Sequence, residues 1–196
     1  MNAENPQKKV GTILFCDIRN FTHLFDERDP LKAVEFANNV LAVLGEVVEE
    51  HSGTVDRFTG DGFLAHFGFR EKLVDHSIDA CRAAIGIREK LEEINTERYF
   101  KVESMVSVGI GIHTGSAAYC KIETNQLEQV TVLGDTVNTA SRIEELTSYF
   151  MVDILVSDKT RNEVGDRFSF QKMPLKNIKG KKRPMQTHWF LPTNTK

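Results

Sequence analysis

The chain has 196 residues, of which 40% are hydrophobic and 27% charged, and its formal net charge is −3. This composition predicts one globular domain over residues 1–196, large enough to bury a core without cross-links. The small net charge gives no reason to expect binding to nucleic acid, and no apolar run approaches the ~20 residues that span a bilayer. Three widely separated cysteines argue against a disulfide framework. We therefore expect a cytoplasmic chain, or a cytosol-facing domain of a membrane-anchored protein.

The hydrophobic pattern predicts strands and helices in turn along the first half of the chain. The apolar run VGTILFC predicts a buried strand that delivers Asp17 at its end. Asp29 followed by Pro30 is typical of a helix start, and an apolar stripe continues that helix to near Gly53. The stretch VDRFTGDGFLAHFG then predicts a hairpin whose turn carries Asp61. A second helix is expected over roughly 72–95.

The second half of the chain predicts more strands and one further long helix. The stretch MVSVGIGIHTGSAAY alternates like a strand, and its glycines permit close approach of another backbone. Another strand is expected from Gln129 to Leu133, and Asp135 is expected to cap the helix TVNTASRIEELTS. Short pieces at about 150–170 and a strand near 185–191 follow. This order of elements favours an α+β fold over a doubly wound parallel sheet.

Two acidic residues stand where the edge of a sheet can bring them together. Asp17 ends the first strand, and Asp61 lies in the hairpin turn. Two carboxylates held close repel each other unless a cation lies between them, and oxygen ligands of this kind suit Mg²⁺ or Mn²⁺. The segment IRNFT after Asp17 predicts a short helix whose free N–H groups could hold phosphate.

A second polar pair lies on the helix that follows Asp135. Asn138 and Arg142 are four residues apart, so they share one face near the positive end of that helix. An amide beside a guanidinium can hold a sugar and a phosphate. For these two residues taken alone, a solvated helix face is an equally good interpretation.

Three segments together resemble the signature segments of the class III nucleotidyl cyclases, which make cyclic AMP or cyclic GMP. They are FCDIRNFT, FTGDGFLAHFG and TVLGDTVNTASRIE, and the resemblance covers roughly residues 8–190. It implies a ferredoxin-like, palm-type core with a mixed, mainly antiparallel sheet flanked by helices. It also implies a head-to-tail homodimer with its active sites in the interface, each assembled from both copies.

The resemblance implies roles for individual residues. Asp17 and Asp61 would hold two Mg²⁺ or Mn²⁺ ions per active site, with the carbonyl of Ile18 as an additional ligand. Asn138 would orient the ribose, and Arg142 would stabilise charge on the α-phosphate.

Four further residues would contact the nucleoside triphosphate, namely Phe21, Arg57, Thr131 and Lys179. Thr131 occupies the base-recognition position, where adenylate cyclases carry Asp or Thr. Asp61 would serve one active site of the dimer, and Arg57 of the same chain would face the base in the other. Lys179 would contact the terminal phosphates, with Lys181 as a close rival.

The chain departs from the family pattern in two places. Arg57 stands where adenylate cyclases usually have Lys and guanylate cyclases Glu. Arginine can donate to adenine but cannot accept from guanine, so together with Thr131 it favours ATP over GTP. The segment Ser116 to Gln129 lacks the usual glycine-containing loop, which affects the expected dimer contact and turnover rate.

The expected activity is that of an adenylate cyclase, which converts ATP to 3′,5′-cyclic AMP and pyrophosphate. Two alternatives stay open at this point. One is a guanylate cyclase, and the other is a degenerate cyclase domain that binds nucleotide or a partner protein. A regulatory domain upstream of the chain is a further expectation for the full-length protein.

Overall fold

A computed structural model describes residues 6–21, 30–101, 103–123, 128–181 and 183–192. Within these ranges four α-helices pack on one eight-stranded sheet. The strands are β1 (Gln7–Ile18), β2 (Thr54–Phe58), β3 (Gly62–Phe67), β4 (Val108–Glu123), β5 (Glu128–Leu133), β6 (Ile154–Ser157), β7 (Phe170–Lys172) and β8 (Thr187–Phe190). The helices are α1 (Pro30–Glu50), α2 (His76–Phe100), α3 (Asp135–Phe150) and α4 (Asp158–Val164).

The sheet is mixed and mainly antiparallel, as the family resemblance implied. Its strand order is β2-β3-β1-β4-β6-β8-β7, and β5 pairs with the end of β4. Only the β4–β6 pairing is parallel among these strands. The first six elements run β1-α1-β2-β3-α2-β4, which is the ferredoxin-like arrangement. The expected α+β class and ferredoxin-like core are therefore confirmed.

The core lies on both faces of the sheet because neighbouring residues of a strand point in opposite directions. On β1, Leu14 packs into the main cluster, together with Leu44 of α1 and Ile87 of α2. The adjacent Ile13 packs on the other face, with Val137 of α3. Helices α1 and α2 thus cover one face of the sheet, and α3 covers the other.

The glycines of β4 allow α3 to lie directly on the sheet. A Cβ atom at Gly111 would come 2.4 Å from the carbonyl oxygen of Ala140 and 2.3 Å from the backbone nitrogen of Glu144. Only a residue without a side chain permits this approach. The close backbone contact expected from GIGIHTG is therefore confirmed.

The structure corrects two element boundaries. Helix α2 runs from His76 to Phe100, later than the predicted 72–95 at both ends. Gly134, with φ of 141°, is the N-cap of α3, so Asp135 is the first helical residue and not the cap. Its carboxylate lies against the positive helix end and forms an ion pair with Lys181. Asp29, the expected cap of α1, lies outside the described residues.

Two histidines lie within strands of the sheet, His66 on β3 and His113 on β4. His113 is a structural residue, since its Nδ1 atom lies 2.8 Å from the hydroxyl of Ser157. His66 is buried, and within the described ranges its Nδ1 atom has no hydrogen-bond partner. No helix in the described part of the chain has the length and apolar character needed to cross a membrane.

Candidate active site

The end of β1 and the β2–β3 hairpin bring Asp17 and Asp61 together. Strands β1 and β3 are antiparallel neighbours, and their register places Asp17 opposite Gly62. The turn is closed by a 2.9 Å hydrogen bond from the Thr59 N–H to the Gly62 carbonyl. The Ile18 N–H donates to the Asp61 carbonyl at 2.8 Å, which fixes the turn beside the strand end. We call Asp17 and Asp61 the carboxylate pair.

The electrostatics of the carboxylate pair favour a cation. The pKa of Asp17 is raised to about 6, first by burial and then by the charge and hydrogen bond of Asp61, while Arg19 opposes the rise. Gly62 contributes to the close fit, because a Cβ atom there would lie 2.7 Å from Oδ1 of Asp17. The two acidic side chains are thus held together despite their repulsion.

The donor set fits Mg²⁺ or Mn²⁺. Among the described residues, no group of three or more His, Cys, Asp or Glu side chains could hold a metal ion. A pair of carboxylates that leaves the other positions to water and phosphate oxygens is the arrangement that Mg²⁺ prefers. Asp17 and Asp61 would supply the carboxylate ligands, and the backbone carbonyl of Ile18, which follows Asp17 on β1, stays a predicted additional ligand.

A buried ion pair that was not foreseen lies behind the carboxylate pair. Arg19 Nη1 is 3.5 Å from Glu144 Oε1 of α3, and the guanidinium also contacts the hydroxyl of Ser148. Both side chains lie over Gly109, where a Cβ atom would clash with them. Burial raises the pKa of Glu144 to about 7, with Arg19 lowering it and Asp17 raising it. This pair joins the end of β1 to helix α3.

The raised pKa of Glu144 predicts a pH-dependent loss of stability. An acid with a raised folded-state pKa binds its proton more tightly in the folded than in the unfolded state. The stability that protonated Glu144 contributes is therefore fully present below the ordinary pKa near 4.5 and is lost as the pH rises through about 7. We expect Glu144→Gln to remove up to about 3 kcal/mol of this fall in the free energy of unfolding. Urea titrations from pH 4 to 8 in EDTA measure the free energy of unfolding of both proteins as a function of pH.

The matched control for that experiment is Glu46→Gln, since Glu46 is an exposed glutamate on α1, and its charge is not among those that shift the pKa of Glu144. It should leave the pH profile of the wild type unchanged. Identical slopes for the wild type and Glu144→Gln between pH 5 and 7 would contradict the burial of an ionisable Glu144.

Asn138 and Arg142 lie on a different face of α3 from Glu144. Residues two apart on a helix do not face each other, whereas residues four apart do. The Arg142 guanidinium lies against Gly180, since a Cβ atom there would be 2.8 Å from Nη1. Asn138 is exposed one turn earlier. Within the described residues, no hydrogen bond or ion pair joins Arg142 to the carboxylate pair.

The two lysines proposed for the terminal phosphates lie beside Arg142. Gly180, which contacts Arg142, stands between them in the chain. Lys181 is held by its ion pair with Asp135, and Lys179 is exposed. Phe21 is partly buried and packs against the main core cluster. Their substrate contacts stay predictions.

The side chains of Arg57 and Thr131 are in contact, although the two residues lie on different strands, β2 and β5. Nη1 of Arg57 donates to Oγ1 of Thr131 at 2.9 Å. Both side chains also bind Asp56, which sequence reasoning did not single out. The only signal in the sequence was an acid directly before Arg57 in VDRF, and nothing in the sequence tied it to Thr131.

The nine predicted site residues thus fall into three groups within one chain. The end of β1 and the hairpin turn carry the first group, which comprises Phe21, Ile18 and the carboxylate pair. The second group, which is predicted to recognise the base, is Arg57 with Thr131. The third group, on α3 and the segment that follows Ile178, comprises Asn138, Arg142 and Lys179.

Comparison with known proteins gives this geometry a family. Residues 3–192 match the sequence profile described as the adenylate and guanylate cyclase catalytic domain. The chain belongs to the class III nucleotidyl cyclases. The family that the three signature segments indicated is therefore confirmed.

Two curated relatives of this class III cyclase chain are named adenylate cyclases. The one from Anabaena cylindrica is 36% identical over 152 residues, which are 75% of this chain and 29% of that protein. Adenylate cyclase 1 of Rhizobium meliloti (strain 1021) is 30% identical over 170 residues, 87% of this chain and 26% of that protein. The chain therefore spans less than a third of the length of these relatives.

Solved structures of both kinds of cyclase share its fold. The adenylyl cyclase CyaB from P. aeruginosa superposes with a TM-score of 0.88 at 24% identity, over 97% of this chain and 98% of that one. The guanylyl cyclase Cya2 gives 0.87 at 28% identity, over 94% and 93% of the two chains. The cyclase fold is thus established, and it does not by itself select the nucleotide.

Proposed function

We propose that the chain is an adenylate cyclase catalytic domain that converts ATP to 3′,5′-cyclic AMP and pyrophosphate. The observation that carries this proposal is the carboxylate pair, Asp17 and Asp61, held together at the end of β1 despite its repulsion. A degenerate domain would have no reason to retain two crowded acids there. Asn138 and Arg142 are also present, so the groups for orientation and charge stabilisation accompany the metal ligands.

In this proposal the reaction is attack of the ribose 3′-hydroxyl on the α-phosphorus, with pyrophosphate leaving. Two bound Mg²⁺ or Mn²⁺ ions would supply Lewis acidity toward the hydroxyl and the phosphates. Asp17 and Asp61 would hold these ions. Asn138 would orient the ribose by hydrogen bonding, and Arg142 would donate to the α-phosphate as its charge grows. Lys179 would bind the terminal phosphates, with Lys181 as the alternative.

Each active site would be assembled from two copies of the chain. Glu144 of α3 faces Arg19 and the carboxylate pair of its own chain, which turns Arg142 to another side of the helix. A nucleotide held by the carboxylate pair would therefore receive its Asn138 and Arg142 from a second copy. This supports a head-to-tail homodimer with two sites, in which Asp61 and Arg57 of one hairpin serve different nucleotides.

ATP is the favoured substrate because of the residues at the base position. Thr131 has an oxygen that can accept from an exocyclic amino group, and Arg57 adds a donor and no acceptor. The two curated relatives described above are named adenylate cyclases. A guanylate cyclase is the second candidate, since the guanylyl cyclase Cya2 shares the fold at 28% identity.

The test is incubation of the purified protein with ATP or GTP and either Mn²⁺ or Mg²⁺, with the cyclic products separated by chromatography. We expect cyclic AMP as the main product and no product in EDTA, with activity restored by adding metal. Cyclic GMP as the main product would support the second candidate. Absence of both products at every metal and protein concentration would contradict a cyclase activity.

The chain's context in the cell is part of the same proposal. Because it spans less than a third of its curated relatives, we propose that a regulatory domain precedes the catalytic domain in the full-length protein. An adenylate cyclase activity would require ATP as the substrate and would place the domain in the cytoplasm.

A further inference from the structure

Asp56 occupies an unusual position on β2. In the β2–β3 pairing Val55 is opposite Ala65 and Arg57 is opposite Leu64, so Asp56 is the extra residue of a β-bulge. In a regular strand, residues 56 and 57 would point to opposite faces of the sheet. The bulge removes that alternation, and both side chains reach Thr131 of β5. Bulges commonly redirect a side chain beside an active site.

The carboxylate of Asp56 is fully buried and accepts three hydrogen bonds. Its side chain is 0% exposed, whereas that of Arg57 is 34% exposed. Oδ2 accepts from Arg57 Nη1 at 2.6 Å and from the Thr131 hydroxyl at 2.7 Å. Oδ1 accepts from the backbone N–H of Val132 at 3.2 Å. Three donors therefore converge on one buried acid.

This arrangement fixes the direction of the Thr131 hydroxyl. A threonine hydroxyl donates one hydrogen and has two lone pairs. Its hydrogen goes to Asp56, and one lone pair accepts from Arg57. One lone pair of the Thr131 oxygen remains for a ligand, so toward a ligand this hydroxyl can only accept a hydrogen bond. An acceptor pairs with the exocyclic amino group of adenine and not with the carbonyl oxygen of guanine.

We propose that Asp56 is a positioning residue that makes Thr131 an obligate acceptor and thereby selects ATP over GTP. The inference rests on the proposed function, because it concerns the same nucleotide site. Asp56 itself need not touch the nucleotide. It acts through Thr131, a residue that is 1% exposed in the chain alone, and through Arg57, whose guanidinium it holds in place.

The decisive variant is Asp56→Asn. The Val132 N–H requires an acceptor, so the carboxamide oxygen would stay on Val132 and the NH₂ group would face Thr131 and Arg57. That NH₂ group would donate to Thr131 and free its hydroxyl hydrogen for the guanine oxygen. We expect the ratio of kcat/KM for ATP to that for GTP to fall about tenfold, the effect of one hydrogen bond.

Two controls separate this role from a structural one. Thr131→Ser keeps the hydroxyl and should keep the wild-type ratio. In a Thr131→Val background, which has no hydroxyl to orient, Asp56→Asn should change the ratio less than about twofold. If Asp56→Asn does not fold, Asp56→Ala is used, since it removes the acceptor that holds the hydroxyl hydrogen of Thr131. An equal loss on ATP and GTP would show that Asp56 is only structural.

Binding of the non-cyclising analogues 3′-deoxy-ATP and 3′-deoxy-GTP is measured alongside turnover. A wild type that makes cyclic AMP, with an unchanged ratio in Asp56→Asn, overturns this inference and leaves the proposed function intact. A wild type that binds the analogues without turnover overturns the proposed function. The inference is then decided by whether Asp56→Asn changes the ratio of the Kd values for 3′-deoxy-ATP and 3′-deoxy-GTP. A wild type that binds neither analogue overturns both.

Discussion

Replacing Asp61 by alanine should reduce cyclase activity on the order of a thousandfold or more while leaving the fold intact. The variant removes one member of the carboxylate pair, and loss of a metal clamp removes several kcal/mol of transition-state stabilisation. The fold should survive, because Asp61 contributes to the structure through its backbone carbonyl, which accepts from Ile18. Initial rates with ATP and Mn²⁺, together with circular dichroism, measure both effects.

The matched control for Asp61→Ala is Asp166→Ala, whose carboxylate is 98% exposed and pairs only at the surface with Arg161. It should keep wild-type activity. Asp17→Ala should repeat the loss seen at Asp61, because both carboxylates are proposed to share the metal ions. A folded Asp61→Ala protein with most of its activity would remove the carboxylate pair from the mechanism.

Arg142→Ala should lower kcat by about 100- to 1,000-fold with a much smaller change in KM. The expected split arises because Arg142 is proposed to bind charge that develops at the α-phosphate in the transition state. Stability should change little, since the guanidinium lies beside Gly180 and not in the core. Steady-state kinetics over a range of ATP concentrations separate the two parameters.

Arg161→Ala is the control here, because Arg161 is a partly exposed arginine on α4 that pairs with Asp166. It should behave like the wild type. A rise in KM at constant kcat for Arg142→Ala would mean that Arg142 binds the ground state and the transition state equally, which contradicts its proposed role.

Much of the site could be predicted because it depends on local sequence. The apolar run before Asp17 and the Gly-Asp-Gly turn at Asp61 are short-range signals, and antiparallel pairing of β1 with β3 joins them. The four-residue spacing of Asn138 and Arg142 places them on one helix face without knowledge of the fold. Three signature segments in order then identified the family.

The parts that could not be predicted depend on contacts between distant segments. The bulge at Asp56 reflects the register between β2 and β3, and its contact with Thr131 requires β5 to reach β2. The pairing of Arg19 with Glu144 requires α3 to lie over Gly109. Both arrangements arise from packing of the whole sheet, which local patterns do not contain.

The end of α2 shows the same limit in a helix. Its apolar stripe ends at Ile94, so periodicity alone ended the helix too early. The structure extends it to Phe100, and Asn95 exchanges two 2.7 Å hydrogen bonds with the backbone of Val106. That contact stabilises the last turns through a segment that follows the helix in the chain.

The central claim, that each active site combines the carboxylate pair of one copy with Asn138 and Arg142 of another, is tested by mixing two inactive variants. Asp61→Ala and Arg142→Ala proteins with different affinity tags are co-expressed, and the heterodimers are isolated by sequential purification. One site of each heterodimer carries both lesions and the other carries neither. We predict cyclic AMP formation at about half the wild-type rate per dimer if the two sites act independently. Verified heterodimers as inactive as their parents would contradict the claim and place each site within one chain.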